Sequence, residues 1–207
     1  MPARWLEEIR AIEQAFSFGV FLMSPKLFTP EEYLDLEADA EFRSHYDAGI
    51  ITPKSGGTVN HNLICGNCCC LLNLALRGQA YKVFAIDIKV WIPKFRKFRY
   101  PNLIVISSEP EFYKHYKTAI TNPLVIIEVL SDSTFDRENK FKLYQSIPTF
   151  QEYLLIDQNQ IAIDHFYKTQ PKQWQIDQFD EQDTEIKLRS INVTLAIADL
   201  YNQVQLS

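Results

Sequence analysis

Residues 124–130 read Leu-Val-Ile-Ile-Glu-Val-Leu, an apolar, β-branched run that specifies a strand and sets a carboxylate in the middle of it. Burying Glu128 there costs free energy unless a cation or a set of donors compensates it, so another part of the chain has to bring a partner to this strand. A buried acid of this kind is a candidate site residue, and the plainer alternative is a structural ion pair with Lys89 or Lys140. A neighbouring apolar run, 103–107, is opened by Tyr100-Pro101-Asn102. A polar residue at the end of an apolar strand reaches the sheet edge, so Asn102, Glu128 and the polar side of Asp87 and Lys89 are expected to converge.

The surrounding pattern is that of an α/β chain. Trp5, Ile9, Ile12 and Phe16 recur at spacings of three and four over 4–18 and predict an amphipathic helix, whose apolar face suits either its own domain or a dimer contact. Thr29-Pro30-Glu31-Glu32 combines an N-cap, a first-turn proline and a capping-box glutamate, and starts a second helix. Residues 46–51 read as a strand and bend and 54–57 as a loop; a third helix follows, with Asn60 as its cap and Gly78 at its end. From Tyr81 to Ile92, Phe84, Ile86, Ile88, Val90 and Ile92 alternate with Val83, Ala85, Asp87, Lys89 and Trp91, which predicts one long strand. Residues 133–146 are helical by charge content and by Phe141, Leu143 and Tyr144. Strands are expected near 152–157, 160–167, 172–179 and 185–189, and a short helix at 195–203. With no internal repeat and no low-complexity linker, the chain divides into a helical extension over 1–26 and one domain over 27–207. That domain is α/β, with a mixed central sheet flanked by helices.

Composition narrows the class of function. The 207 residues, 46% of them hydrophobic with 14 Phe and 10 Tyr, make a globular core that excludes disorder and buries about 70% of the unfolded surface. A net charge of -5 and a pI near 5.4 give no general attraction to polyanions, so a nucleic acid has to be held by a local basic patch. Lys94, Arg96, Lys97 and Arg99, interleaved with Phe95, Phe98 and Tyr100, form such a stretch. It reads either as phosphate contacts with stacking rings or as a solvated tip whose rings pack back on the sheet. No apolar run approaches the ~20 residues of a membrane span, and Glu7, Glu8 and Glu13 stand where a signal peptide is basic and then apolar, which reads as cytoplasmic. Cys65, Cys68, Cys69 and Cys70 crowd together as reduced thiols rather than spreading as a disulfide framework. His61, Cys65 and Cys68 share one helix face and would give three zinc ligands; core packing is the favoured alternative.

Several stretches taken together resemble a known family: Thr29-Pro30-Glu31-Glu32-Tyr33-Leu34, Gly57-Thr58-Val59-Asn60-His61-Asn62, Ala75-Leu76-Arg77-Gly78, the run from Asp87 to Pro93, Tyr100-Pro101-Asn102, Ile127-Glu128-Val129-Leu130-Ser131, and Asp136-Arg137-Glu138-Asn139-Lys140-Phe141. From about Phe28 to Val204 the chain resembles the Uma-two type of bacterial restriction endonucleases, in the PD-(D/E)XK nuclease superfamily. The resemblance implies a restriction-endonuclease-like core and a magnesium-dependent phosphodiesterase acting on DNA, with manganese as a substitute. Glu128 matches the family's motif glutamate, and Lys140 the lysine that in this family stands on the helix after the strand. The aspartate after Tyr-Pro is Asn102 here, and the glutamate of an early strand falls on His45. Asp47 lies on the same strand face as His45 and is the candidate replacement acid.

Paired carboxylates on neighbouring strands can hold magnesium with waters in place, and the cation activates a water and steadies phosphoryl charge beside a lysine. Asn102 offers an amide oxygen but no full charge. At an effective dielectric of about 20 and ~4 Å, each unit-charge interaction is worth roughly 4 kcal/mol, doubled for a divalent ion before desolvation. A net loss of even ~3 kcal/mol weakens binding about a hundredfold. The expected protein is therefore a metal-dependent endonuclease of DNA with reduced or lost activity. Glu128 and Asn102 are its metal ligands for magnesium or manganese at low occupancy, Lys140 its phosphate-side cation, and His45 and Asp47 the altered acid positions. Its expected assembly is a homo-oligomer, a dimer. The alternative is a catalytically inactive nuclease-fold protein that binds nucleic acid or a protein partner. An enzyme built on the cysteines lacks a partnering base at a suitable spacing.

Overall fold

Thr29 caps the first helix as the sequence specifies: its hydroxyl accepts from the Glu32 N–H, and the Glu32 carboxylate accepts from the Thr29 N–H at 2.7 Å. The computed structural model describes residues 26–54, 56–130 and 137–206, so the expected helix at 4–18 and the first residues of the segment 133–146 lie outside the described residues. The chain divides into two compact units, one through Lys54 and one from Ser55. In the first, α1 (Pro30–Ala38) precedes an antiparallel hairpin of β1 (Ser44–Asp47) and β2 (Ile50–Pro53). Its turn uses Ala48 and Gly49 at positive φ, and a side chain at Gly49 would crowd Leu27 at 3.0 Å. Tyr33 ties helix to hairpin by stacking on Tyr46 and donating to the Ser44 carbonyl at 2.6 Å. Buried Glu37 accepts from the Ser44 N–H at 2.9 Å and from its hydroxyl at 2.6 Å.

The second unit is built around a six-stranded mixed sheet in the order β12-β11-β10-β9-β6-β3. Its strands are β3 (Tyr81–Ala85), β6 (Leu103–Ser107), β9 (Val125–Leu130), β10 (Glu152–Asp157), β11 (Ile163–Gln170) and β12 (Gln173–Phe179). β9 and β10 run parallel, and the other neighbouring pairs antiparallel. One face packs against α2 (Val59–Ala75) through Ile64, Cys68, Leu72 and Leu76, together with the hairpin of β13 (Glu185–Leu188) and β14 (Val193–Ala196) and the short α4 (Ile197–Leu200). On the other face Ile104, Ile126, Tyr153, Leu155 and Phe166 meet Tyr144 of α3 (Arg137–Tyr144), with Ile147 and Phe150. Further strands, β4 (Lys89–Ile92), β5 (Lys97–Arg99), β7 (Phe112–Tyr113) and β8 (Tyr116–Ile120), bring Val90, Ile92 and Ile120 to this second core.

Three expectations need correction. The long strand 81–92 breaks at Ile86 and Asp87, both at positive φ, and continues as β4 in a different sheet. Ile86, expected on the apolar face, is 75% exposed. The cap of α2 is Thr58, whose hydroxyl accepts from the His61 N–H at 3.1 Å, and Asn60 instead holds the Gln158 and Gln205 carbonyls. The segment expected to begin a helix at 195 starts within β14, and only Ile197–Leu200 is helical.

A buried carboxylate links the β13–β14 hairpin to the sheet. Glu152 accepts from the His165 ring at 2.6 Å, from the Arg189 N–H at 2.7 Å, from the Ser190 N–H at 2.9 Å and from the Ser190 hydroxyl. Burial works to raise its pKa, but the His165, Ser190 and Arg189 donors outweigh that and hold it below the ordinary carboxylate range. A pKa lowered by folding stabilises fully above the unfolded value and loses that contribution as pH falls through the folded one. Glu152→Ala is therefore expected to cost about 3–5 kcal/mol at neutral pH. In urea unfolding, the gap to the native chain should narrow as the pH drops into the acid range; a gap constant with pH refutes this role.

Candidate functional site

β9 alternates across its sheet. Val125, Ile127 and Val129 face the core lined by α2, while Ile126 and Leu130 face the core lined by α3, so Glu128 falls on the α3 side. It is 5% exposed, and one helix supplies both compensating groups. The Lys140 Nζ lies 2.8 Å from Oε2, and the Tyr144 hydroxyl donates to Oε1 at 2.7 Å. The two residues are one helical turn apart, which stacks them on the same side of α3. Burial first, and then the Glu128 charge, push the Tyr144 phenol well above its ordinary pKa, so it stays a donor. Lys89 is buried, its Nζ 3.3 Å from the Thr118 hydroxyl and 5.1 Å above the Tyr100 ring. Asp87 stands exposed in the bend between β3 and β4.

Asn102 is brought beside this carboxylate by strand register. β6 pairs antiparallel with β9 with Leu103 opposite Ile127, so the preceding residue falls opposite Glu128. Its amide is fully engaged: Oδ1 accepts from the Val129 N–H at 2.8 Å, and Nδ2 lies 3.1 Å from His61 Nε2. Because an amide nitrogen only donates, Nε2 is the acceptor and the neutral ring carries its proton on Nδ1, 3.8 Å from the Cys65 sulfur. The ring is held close to the chain entering α2: a Cβ at Gly57 would lie 2.6 Å from Nδ1, whereas one at Gly56 meets open space. Cys68 is wholly buried in the core, and burial pushes its thiol far up. Among the described residues no group of three or more His, Cys, Asp and Glu side chains is placed to hold a metal ion, and Cys65 and Cys69 pack against the core that holds Cys68.

The same geometry tests the divalent ion that the resemblance implies. Of the two expected ligands, the Glu128 carboxylate has an ammonium on one oxygen and a phenol on the other, and the Asn102 amide oxygen is already bonded to backbone. A divalent cation about 4 Å from that ammonium meets a repulsion of roughly 8 kcal/mol at an effective dielectric of about 20. These residues do not fit a resident magnesium or manganese ion.

His45 and Asp47 belong to the first unit, where they share the half-buried face of β1 opposite buried Ser44 and Tyr46. In the basic stretch, Lys94 and Arg96 are exposed around the short turn Pro93–Phe95, with Arg96 in the left-handed region, and Lys97 and Arg99 are half-buried on β5. The rings between them turn inward: Phe98 is wholly buried against Trp91, with ring centroids 4.5 Å apart, and Tyr100 is buried too. Sequence reasoning placed Glu128, Asn102 and Lys140 together. It missed Tyr144, which reads as a core residue on a helix; only its spacing of four from Lys140 marks it.

The chain matches the Uma2 family model, described as a putative restriction endonuclease, over residues 30–198. Two uncharacterised proteins of Synechocystis sp. are similar to it. One is 36% identical over 170 residues, 81% of this chain and 96% of the relative, and the other 32% identical over 179 residues, 86% and 92% respectively. A crystal structure of a putative nuclease of the DUF820 group from Anabaena variabilis superposes with a TM-score of 0.68 at 21% identity, covering 86% of this chain and 99% of that one. Its fold matches the mixed α/β architecture described above. No helix among the described residues is long and apolar enough to cross a membrane. Calorimetric titration with manganese is expected to show no saturable site in the native chain and a measurable one in Asn102→Asp, whose restored charge is worth about a hundredfold in affinity. Micromolar binding by the native chain overturns the argument from donor geometry.

Proposed function

This chain belongs to the Uma2 family of restriction-endonuclease-like proteins, and we propose that it engages the phosphate backbone of DNA while the family's hydrolytic centre is silent in it. The observation that carries this reading is the closed state of the Glu128 carboxylate, with Lys140 on one oxygen and Tyr144 on the other, beside an amide where the family resemblance places an acid. Lys140 neutralises a charge that would otherwise repel a phosphodiester, and Asn102 adds none. Lys94 and Arg96 point a pair of cations to solvent and are the proposed phosphate contacts. Hydrolysis supported by a divalent metal is the second reading, favoured by the retained Glu128 and Lys140.

Two measurements separate the readings. Supercoiled plasmid incubated with the native chain and magnesium or manganese is expected to stay intact; metal-dependent nicking that Glu128→Ala abolishes establishes the second reading instead. Duplex DNA is expected to bind with a steep salt dependence. The double variant Lys94→Ala, Arg96→Ala should lower the slope of log affinity against log salt by about 2, one unit per lost phosphate contact.

A further inference from the structure

We infer that Tyr144 is a positioning residue of this site: it fixes the plane of the Glu128 carboxylate and so holds the Lys140 ammonium on Oε2 as one ordered pair. The inference deepens the proposed function and rests on it, since holding Lys140 on Glu128 is what neutralises the carboxylate there. The terminal torsion of a glutamate is broad and roughly two-fold, so a single contact at Oε2 leaves the carboxylate free to pivot. A second contact at Oε1 removes that freedom. Tyr144 makes it from a rigid seat, 1% exposed, with its ring 6.0 Å from that of Phe150 and 5.8 Å from that of Tyr153. Lys140, one turn earlier on the same helix, keeps about a third of its side chain exposed, at 32%. The helix thus grips the carboxylate at an inner point through Tyr144 and at an outer, partly exposed one through Lys140.

A purely structural tyrosine would satisfy the buried oxygen and leave Lys140 unaffected, which is the difference an experiment can read. The full chain is labelled with ¹⁵N-lysine, and the Lys140 ammonium resonance is assigned by its loss in Lys140→Arg. In Tyr144→Phe, that ammonium is expected to exchange its protons with water about tenfold faster than in the native chain. An unchanged Lys140 signal in the folded variant overturns the inference. Should Tyr144→Phe fail to fold, 3-fluorotyrosine at position 144 keeps the hydroxyl, and its ¹⁹F resonance is expected to move on Lys140→Met. A resonance unmoved by that change overturns the inference equally. Titration of native chain with duplex DNA runs alongside: an absence of binding defeats the proposed function, while the ammonium and fluorine results report on Tyr144 independently.

Discussion

A charge placed inside a strand must be answered from another element, and in the second unit α3 is set by how Glu128 is answered. The helix after β9 returns across the sheet with Lys140 and Tyr144 aligned on the carboxylate, which fixes both its rotation and its height on the sheet. Ring packing holds it there: Phe141 stacks on Phe166 at 4.3 Å and meets Trp174 edge-on at 5.0 Å. The polar contact and the aromatic contacts lie on one short helix, so neither can shift without disturbing the other.

The family's architecture is present in this chain, with an amide at position 102 beside its central carboxylate. Position 102 keeps the place that strand register gives it, opposite Glu128, but the amide there has become a bridge between the first turn of α2 and the backbone of β9. The amide satisfies two neighbouring groups at once, the Val129 N–H and His61 Nε2.

What the sequence revealed depended on whether local pattern and tertiary context agreed. The strands at 103–107, 124–130 and 152–157 are legible because they are apolar runs with few polar interruptions, and the fold buries both their faces. The strand over 81–92 was misread because the alternation continues unbroken across Ile86 and Asp87, with no glycine or proline to announce the left-handed bend. β5 and β7 are too short to show a period at all. At the site, Glu128 was conspicuous as a charge among β-branched residues, whereas Tyr144 was not, since a tyrosine on a helix is ordinarily core. Only the three-dimensional placement of its hydroxyl sets it apart.

The bond between Asn102 and His61 has a direction, and that direction makes two distant positions interdependent. An amide gives a hydrogen to the imidazole; a carboxylate of identical shape can only receive one, so an acid at 102 obliges the ring to move its proton from the Cys65 side to the side facing β6, or to take up a second. Exchanging one nitrogen for one oxygen therefore rewires protonation at the start of α2. The two positions are therefore coupled: a replacement at 61 that is harmless beside the amide is not equivalent beside an acid.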